Sequence, residues 1–119
     1  MDLTTIFKLL SDETRLRVIT LIYQEELCVC ELCGILEKPQ PKISKVLSKL
    51  RDMDLVTDER KEKFVFYTLK KSNPLLNHTI EFMLNQQEEY PLLENDHQRL
   101  HNKEKYIDQC SLEALREIS

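Results

Sequence analysis

Three of the chain's four cysteines fall within the stretch Glu26-Leu27-Cys28-Val29-Cys30-Glu31-Leu32-Cys33, in the spacing Cys-x-Cys-x-x-Cys. Buried cysteines can act as small apolar residues, but three so close together are rarely core filler. A disulfide suits neighbours two apart poorly. Thiolates at this density select soft or borderline ions such as zinc, cadmium, lead or trivalent arsenic and antimony. At about 100° per residue on a helix, Cys30 and Cys33 lie roughly 60° apart and share a face, whereas Cys28 lies roughly 160° from Cys30. Either Cys28 precedes the helix or a ligand gathering all three sulfurs unwinds its first turn. The tail carries Cys110 and, at i and i+4, His97 and His101. That histidine spacing can hold a metal.

The elements that must position these groups are mostly helical. A chain of 119 residues with one glycine, no tryptophan and 32% charged residues has little material for phosphate-cradling loops or a turn-rich β fold. No apolar run approaches the roughly 20 residues of a membrane span, and Met-Asp-Leu-Thr-Thr lacks the features of a secretory signal. A cytoplasmic protein is expected, in which cysteines serve metal or redox chemistry. The net charge of −4 is unevenly spread. Residues 38–71 carry ten basic against five acidic groups, while residues 1–37 carry three against seven and residues 72–119 four against nine. A basic middle between acidic ends is the footprint of a nucleic-acid surface.

Apolar periodicity places a short helix over residues 3–10, with Leu3, Ile6, Phe7 and Leu10 on one stripe. Ser11-Asp12 caps a second helix running to about Tyr23, its buried row being Leu16, Ile19 and Ile22 or Tyr23. A third helix spans about Cys30 to Leu36. After the turn Lys38-Pro39-Gln40-Pro41, a fourth runs from Lys42 to about Met53 with Ile43, Val46, Leu47, Leu50 and Met53 inward. Two helices joined by a tight turn read as a helix-turn-helix, which puts Gln40, Lys42, Ser44, Lys45, Ser48 and Lys49 in reach of DNA bases. Residues 55–60 and 64–69 read as strands of a hairpin with Lys61-Glu62-Lys63 at its tip. Arg60, Lys61 and Lys63 of this wing would lie along phosphates. A fifth helix follows Ser72-Asn73, with Pro74 first and a stripe of Leu75, Leu76, Ile80, Met83 and Leu84 beside Phe82. That stripe exceeds what one small core needs and implies a dimer made with the N-terminal helix. Pro91 breaks the pattern, and residues 92–119 read as one or two further helices. The division is a winged helix-turn-helix domain over 1–90 and a helical extension over 91–119.

With these elements in order, Glu-Leu-Cys-Val-Cys-Glu-Leu-Cys, Pro-Lys-Ile-Ser-Lys-Val-Leu-Ser-Lys-Leu-Arg and the early Leu-Ser-Asp-Glu-Thr-Arg-Leu-Arg resemble the ArsR/SmtB family of dimeric winged-helix metal-sensing repressors. The resemblance covers about residues 3–90. It implies a mainly α, homodimeric repressor, not an enzyme, that binds double-stranded operator DNA. The triplet is similar to the site of the arsenite-responsive branch, which makes Cys28, Cys30 and Cys33 ligands to As(III) or Sb(III) as inducer. The cadmium/lead branch adds a cysteine that has no counterpart before Cys28. The rival readings are the same scaffold sensing Cd(II), Pb(II), Zn(II) or thiol oxidation, and, more remotely, a dithiol oxidoreductase built on Cys30-x-x-Cys33.

Overall fold

A computed structural model describes residues 1–107. Six helices, α1 (Leu3–Leu10), α2 (Glu13–Gln24), α3 (Val29–Leu36), α4 (Gln40–Asp52), α5 (Pro74–Asn85) and α6 (Pro91–Leu100), accompany a small sheet of β1 (Leu27–Cys28), β2 (Val56–Lys61) and β3 (Phe64–Leu69), and residues 104–107 form a further helical turn. The sheet is antiparallel in the order β1-β3-β2, with Cys28 opposite Phe66 and Val56 opposite Leu69. The mainly helical winged helix-turn-helix expected from the sequence is therefore present, with one strand more than the hairpin alone. Leu27–Cys28 is too short to show a period of two, so only pairing with β3 reveals it as a strand.

The helix boundaries follow local chemistry. The Asp2 carboxylate accepts from the Thr5 N–H (2.8 Å), the Asp12 carboxylate from the Arg15 N–H (2.9 Å) and the Asn73 side chain from the Leu76 N–H (3.1 Å). Each satisfies a first-turn donor that the helix itself leaves unpaired. Proline occupies the first turn of α4, α5 and α6, where its missing N–H costs nothing. Pro91 thus opens a helix as well as ending the preceding pattern. The three residues Gln87–Glu89 form a 3₁₀ turn between α5 and α6.

The core forms around α2, which packs against α1, α4, α6 and β3. Thr14, Arg17, Val18, Ile19, Thr20, Leu21 and Ile22 of α2 are all buried. A helix covered on nearly every side shows no single apolar stripe; of the expected row Ile19 and Ile22 are buried, whereas Leu16 and Tyr23 are half-buried. In α4 four of the five residues of the expected row, Ile43, Val46, Leu47 and Leu50, are buried, while Met53 is the half-buried C-cap. In α1 the buried pair is Ile6 and Leu9, while Leu3 and Phe7 are 59% and 54% exposed. The predicted α1 stripe thus splits into an inward and an outward row.

Helix α6 joins this core. Leu100 belongs to the main apolar cluster with Tyr106, and Asp96 is buried against α2. The Arg17 guanidinium donates to both Asp96 carboxylate oxygens, from Nε at 2.9 Å and from Nη2 at 2.8 Å. This fork-to-fork pair fixes α6 on α2 with both charges out of water.

Candidate sensor site and nucleic-acid interface

The cysteine segment is placed by a cap. Cys28 is the N-cap of α3, with extended backbone (φ −91°, ψ 170°), and is simultaneously the last residue of β1. Of the two arrangements open from the sequence, Cys28 preceding the helix is the one adopted. The Glu31 carboxyl accepts from the Cys28 N–H at 3.0 Å, and the Glu31 N–H faces the Cys28 sulfur. This is a capping box with cysteine in the usual serine position. Cys28 is 2% exposed and Glu31 1% exposed, whereas Cys30 and Cys33 are half-buried on α3.

Burial pushes the Cys28 thiol up to about 11; the Glu31 N–H opposes this, and the neighbouring Glu31 charge adds to it. The Glu31 carboxyl is raised chiefly by burial as well, against the Cys28 N–H and the Lys103 charge. The folded-state value of Cys28 lies above its ordinary value of 9.0, so the neutral thiol favours the fold. That contribution is complete below the unfolded value and is lost as pH rises toward the folded one. Thermal unfolding between about pH 9 and 11 is therefore expected to show a loss on the order of 2–3 kcal/mol in the wild type that a Cys28→Ser variant lacks. Parallel wild-type and variant curves would refute this assignment.

Among the described residues no group of three or more Cys, His, Asp or Glu side chains is assembled to hold a metal ion. Sulfur donors at Cys28, Cys30 and Cys33 would suit a thiophilic ion in the reduced chain, but Cys30 is disulfide-bonded in this structure, contrary to the expectation from the sequence, and the described residues bring no such set together. His97 Nδ1 lies 3.0 Å from the Gln24 Oε1, and its ring meets that of His101 edge-on at a centroid distance of 4.9 Å. Cys110 lies outside the described residues.

The predicted DNA-reading residues are all on the surface. Gln40, Lys42, Lys45, Ser48 and Lys49 of α4 are exposed and Ser44 half-buried, on the face opposite the core row. Arg60, Lys61 and Lys63 are exposed on the wing. Lys61 pairs with Glu26, so its ammonium is partly committed. Arg51 was not among the expected residues; from the end of α4 it donates to the Asp58 carboxylate (2.9 Å) and the Tyr67 hydroxyl (3.0 Å) and braces the wing.

Sequence reasoning also missed Glu31, although a glutamate three residues after an N-cap is a recognisable capping signal. Arg17, Asp96 and Arg99 were missed because their partners lie far along the chain. No described helix is long and apolar enough to cross a membrane.

A helix-turn-helix followed by a three-stranded wing, with a basic outer face, defines a winged helix-turn-helix domain. The model of the bacterial regulatory protein arsR family matches residues 12–58. An arsenical resistance operon repressor of Escherichia coli is 46% identical over 70 residues, which span 58% of this chain and 60% of that one. An arsenic resistance transcriptional regulator of Pseudomonas putida is 49% identical over 70 residues, 58% of this chain and 55% of that one. The cadmium resistance transcriptional regulatory protein CadC of Listeria innocua is 35% identical over 65 residues, 54% of this chain and 55% of that one. The match thus spans little more than half the length of these relatives. Among solved structures, HlyU from Vibrio cholerae superposes with a TM-score of 0.60 at 30% identity, covering 72% of this chain and 97% of that one. The AntR antimony-specific transcriptional repressor gives 0.60 at 26% identity, covering 72% and 77%. The chain belongs to the arsR family of bacterial regulatory proteins, a family of regulators and not of enzymes.

Proposed function

We propose that this protein is a homodimeric transcriptional repressor that binds operator DNA and releases it when As(III) or Sb(III) is bound by Cys28, Cys30 and Cys33. The observation that carries this reading is the position of Cys28, at once the end of β1 and the N-cap of α3. Bringing its sulfur to those of Cys30 and Cys33 must draw it from the core and disturb the Glu31 cap. It must also strain the pairing of Cys28 with Phe66 on the strand that leads out of the wing. Only three residues, the cap Glu37 with Lys38 and Pro39, separate the end of α3 at Leu36 from Gln40, the first residue of α4, so a shift of α3 reaches the DNA-reading face directly. The trivalent ion contributes three bonds to sulfur, enough to offset the loss of a cap worth about 1 kcal/mol. A coupling of a few kcal/mol between the two sites corresponds to roughly a hundredfold loss of operator affinity.

The direct test is fluorescence anisotropy of the protein on its own promoter DNA, titrated separately with arsenite and cadmium. Release by arsenite at lower concentration than by cadmium is expected; release by cadmium alone would replace this reading with the cadmium one. The second reading is kept because CadC, a cadmium resistance regulator, is among the similar proteins.

DNA binding should divide by position. Lys45→Ala on α4 is expected to weaken operator binding and relax its sequence preference. Lys63→Ala on the wing is expected to weaken all DNA about equally, each by about three- to tenfold, and to reduce the salt slope by about one. Anisotropy on operator and scrambled duplexes at several salt concentrations checks both.

Support for the dimer comes from uncovered apolar side chains: Leu3 and Phe7 of α1 are 59% and 54% exposed, and Phe82 of α5 is 63% exposed. A Phe7→Glu/Phe82→Glu variant is expected to sediment as a monomer with its helical content intact. Sedimentation unchanged from the wild type would remove α1 and α5 from the interface.

A further inference from the structure

We propose that Arg99, with the turn that follows α6, positions the sensor helix α3 and so sets how much inducer is needed for release. This rests on the reading of Cys28, Cys30 and Cys33 as the inducer site. Residues 25–37 contain four acidic groups, Glu25, Glu26, Glu31 and Glu37, and no basic one. Basic groups from α6 and the turn after it meet this segment at both ends. At the start, the Lys103 ammonium pairs with Glu25 at 2.7 Å and approaches the Glu26 carbonyl at 3.5 Å. At the end, Arg99 Nη1 donates to the Ile35 carbonyl at 2.7 Å and Nη2 to the Glu37 carboxylate at 2.6 Å.

The Arg99 contact falls where α3 needs it. Ile35 offers one of the last-turn carbonyls that a helix leaves unpaired, and a cation there also suits the helix dipole. Glu37 closes α3 in the left-handed region, at φ 53° and ψ 47°, a conformation that favours glycine and that a β-carbon disfavours. Arg99 holds that residue by its side chain and holds the helix end beside it. Between the two ends, the Tyr106 side chain packs directly against Gly34, the chain's one glycine. A β-carbon at Gly34 would overlap the ring and sit 2.7 Å from the Tyr106 Cβ. The neighbour of Cys33 therefore has no side chain because Tyr106 fills the space that one would take.

These contacts exist in the conformation where Cys28 is buried at the cap and the sulfurs are not gathered. An inducer that moves α3 must loosen them. Weakening them raises the population of the inducer-competent arrangement without adding or removing an inducer ligand, and apparent inducer affinity rises by the same factor while that arrangement remains rare. Operator affinity without inducer then changes little.

The test compares wild type, Arg99→Ala, Arg99→Lys, Tyr106→Ala and the exposed-site control Gln98→Ala. Arsenite titrations on the operator duplex are combined with hydrogen exchange of residues 29–37 in the free protein. Arg99→Ala and Tyr106→Ala are expected to lower the arsenite concentration for half-release about tenfold and to speed exchange at the end of α3. Operator affinity without arsenite should stay within about threefold. Arg99→Lys, which keeps the cation, should fall between wild type and Arg99→Ala, and Gln98→Ala should match wild type. A lower melting temperature with unchanged half-release and unchanged exchange would overturn the proposal, since that is what a purely structural contact gives. If no thiophilic ion releases the operator from the wild type, the sensor reading and the coupling to it both fall. The exchange data then decide by themselves whether Arg99 positions α3.

Discussion

Replacing Cys28 by serine is expected to abolish arsenite-induced release while leaving operator binding intact. The substitution isolates the sulfur. Serine is close in volume and is among the best N-cap residues, so the cap of α3 and its partner Glu31 should survive. Cys28 is 2% exposed and its backbone pairs with Phe66 in the sheet, features that serine can share. Operator affinity without inducer should therefore stay within about two- to threefold of wild type, whereas the roughly hundredfold weakening by arsenite disappears. Anisotropy titrations on the same duplex read both quantities. Release that persists in Cys28→Ser and fails instead in Cys110→Ser would move the site to the tail. Loss of operator binding in Cys28→Ser without arsenite would assign Cys28 to folding alone.

The largest effect on stability should come from Asp96→Ala. Arg17 and Asp96 are 6% and 2% exposed and form two hydrogen bonds to one another. The Arg17 guanidinium is held even more firmly charged by the Asp96 bond, despite opposing desolvation. Removing the carboxylate leaves a buried cation with Glu13 at 3.5 Å as its remaining ion pair. Stranding a charge in this way costs about 3–5 kcal/mol, which in a domain of this size lowers the melting temperature by at least ~10 °C. The double variant Arg17→Met/Asp96→Leu removes both charges and fills similar volume, and it should recover most of the loss. Calorimetry of the two variants decides the matter: equal destabilisation by both would mean that the pair contributes through packing and not through its charges. Since the pair fixes α6 on α2, Asp96→Ala should also free the tail that carries Arg99.

Much of the architecture was written in local patterns. The row Ile43, Val46, Leu47 and Leu50 indicated α4 and its core face, and the same spacing placed the Lys and Ser residues outward. Asp12 and Asn73 marked helix starts, and the strand boundaries of the wing lie within a residue of those expected. The cysteine spacing offers a donor set for the proposed inducer and restricts the ions that would suit it. All of these signals act over a few residues, through helical periodicity, capping or ligand chemistry, and are legible in one dimension.

What only the tertiary structure decided depends on partners distant in sequence. Strand β1 exists because β3 pairs with it, and this makes Cys28 a junction between the wing and α3. The outward turn of Leu3 and Phe7 is set by which face of α1 meets α2, since both of its faces are apolar. The burial of Arg17 follows from Asp96, 79 residues away. An acidic, weakly amphipathic tail gave no sign that Arg99, Lys103 and Tyr106 would close over α3. Charge complementarity and the fit of a ring against Gly34 come into being only when the chain is folded, because each requires two surfaces.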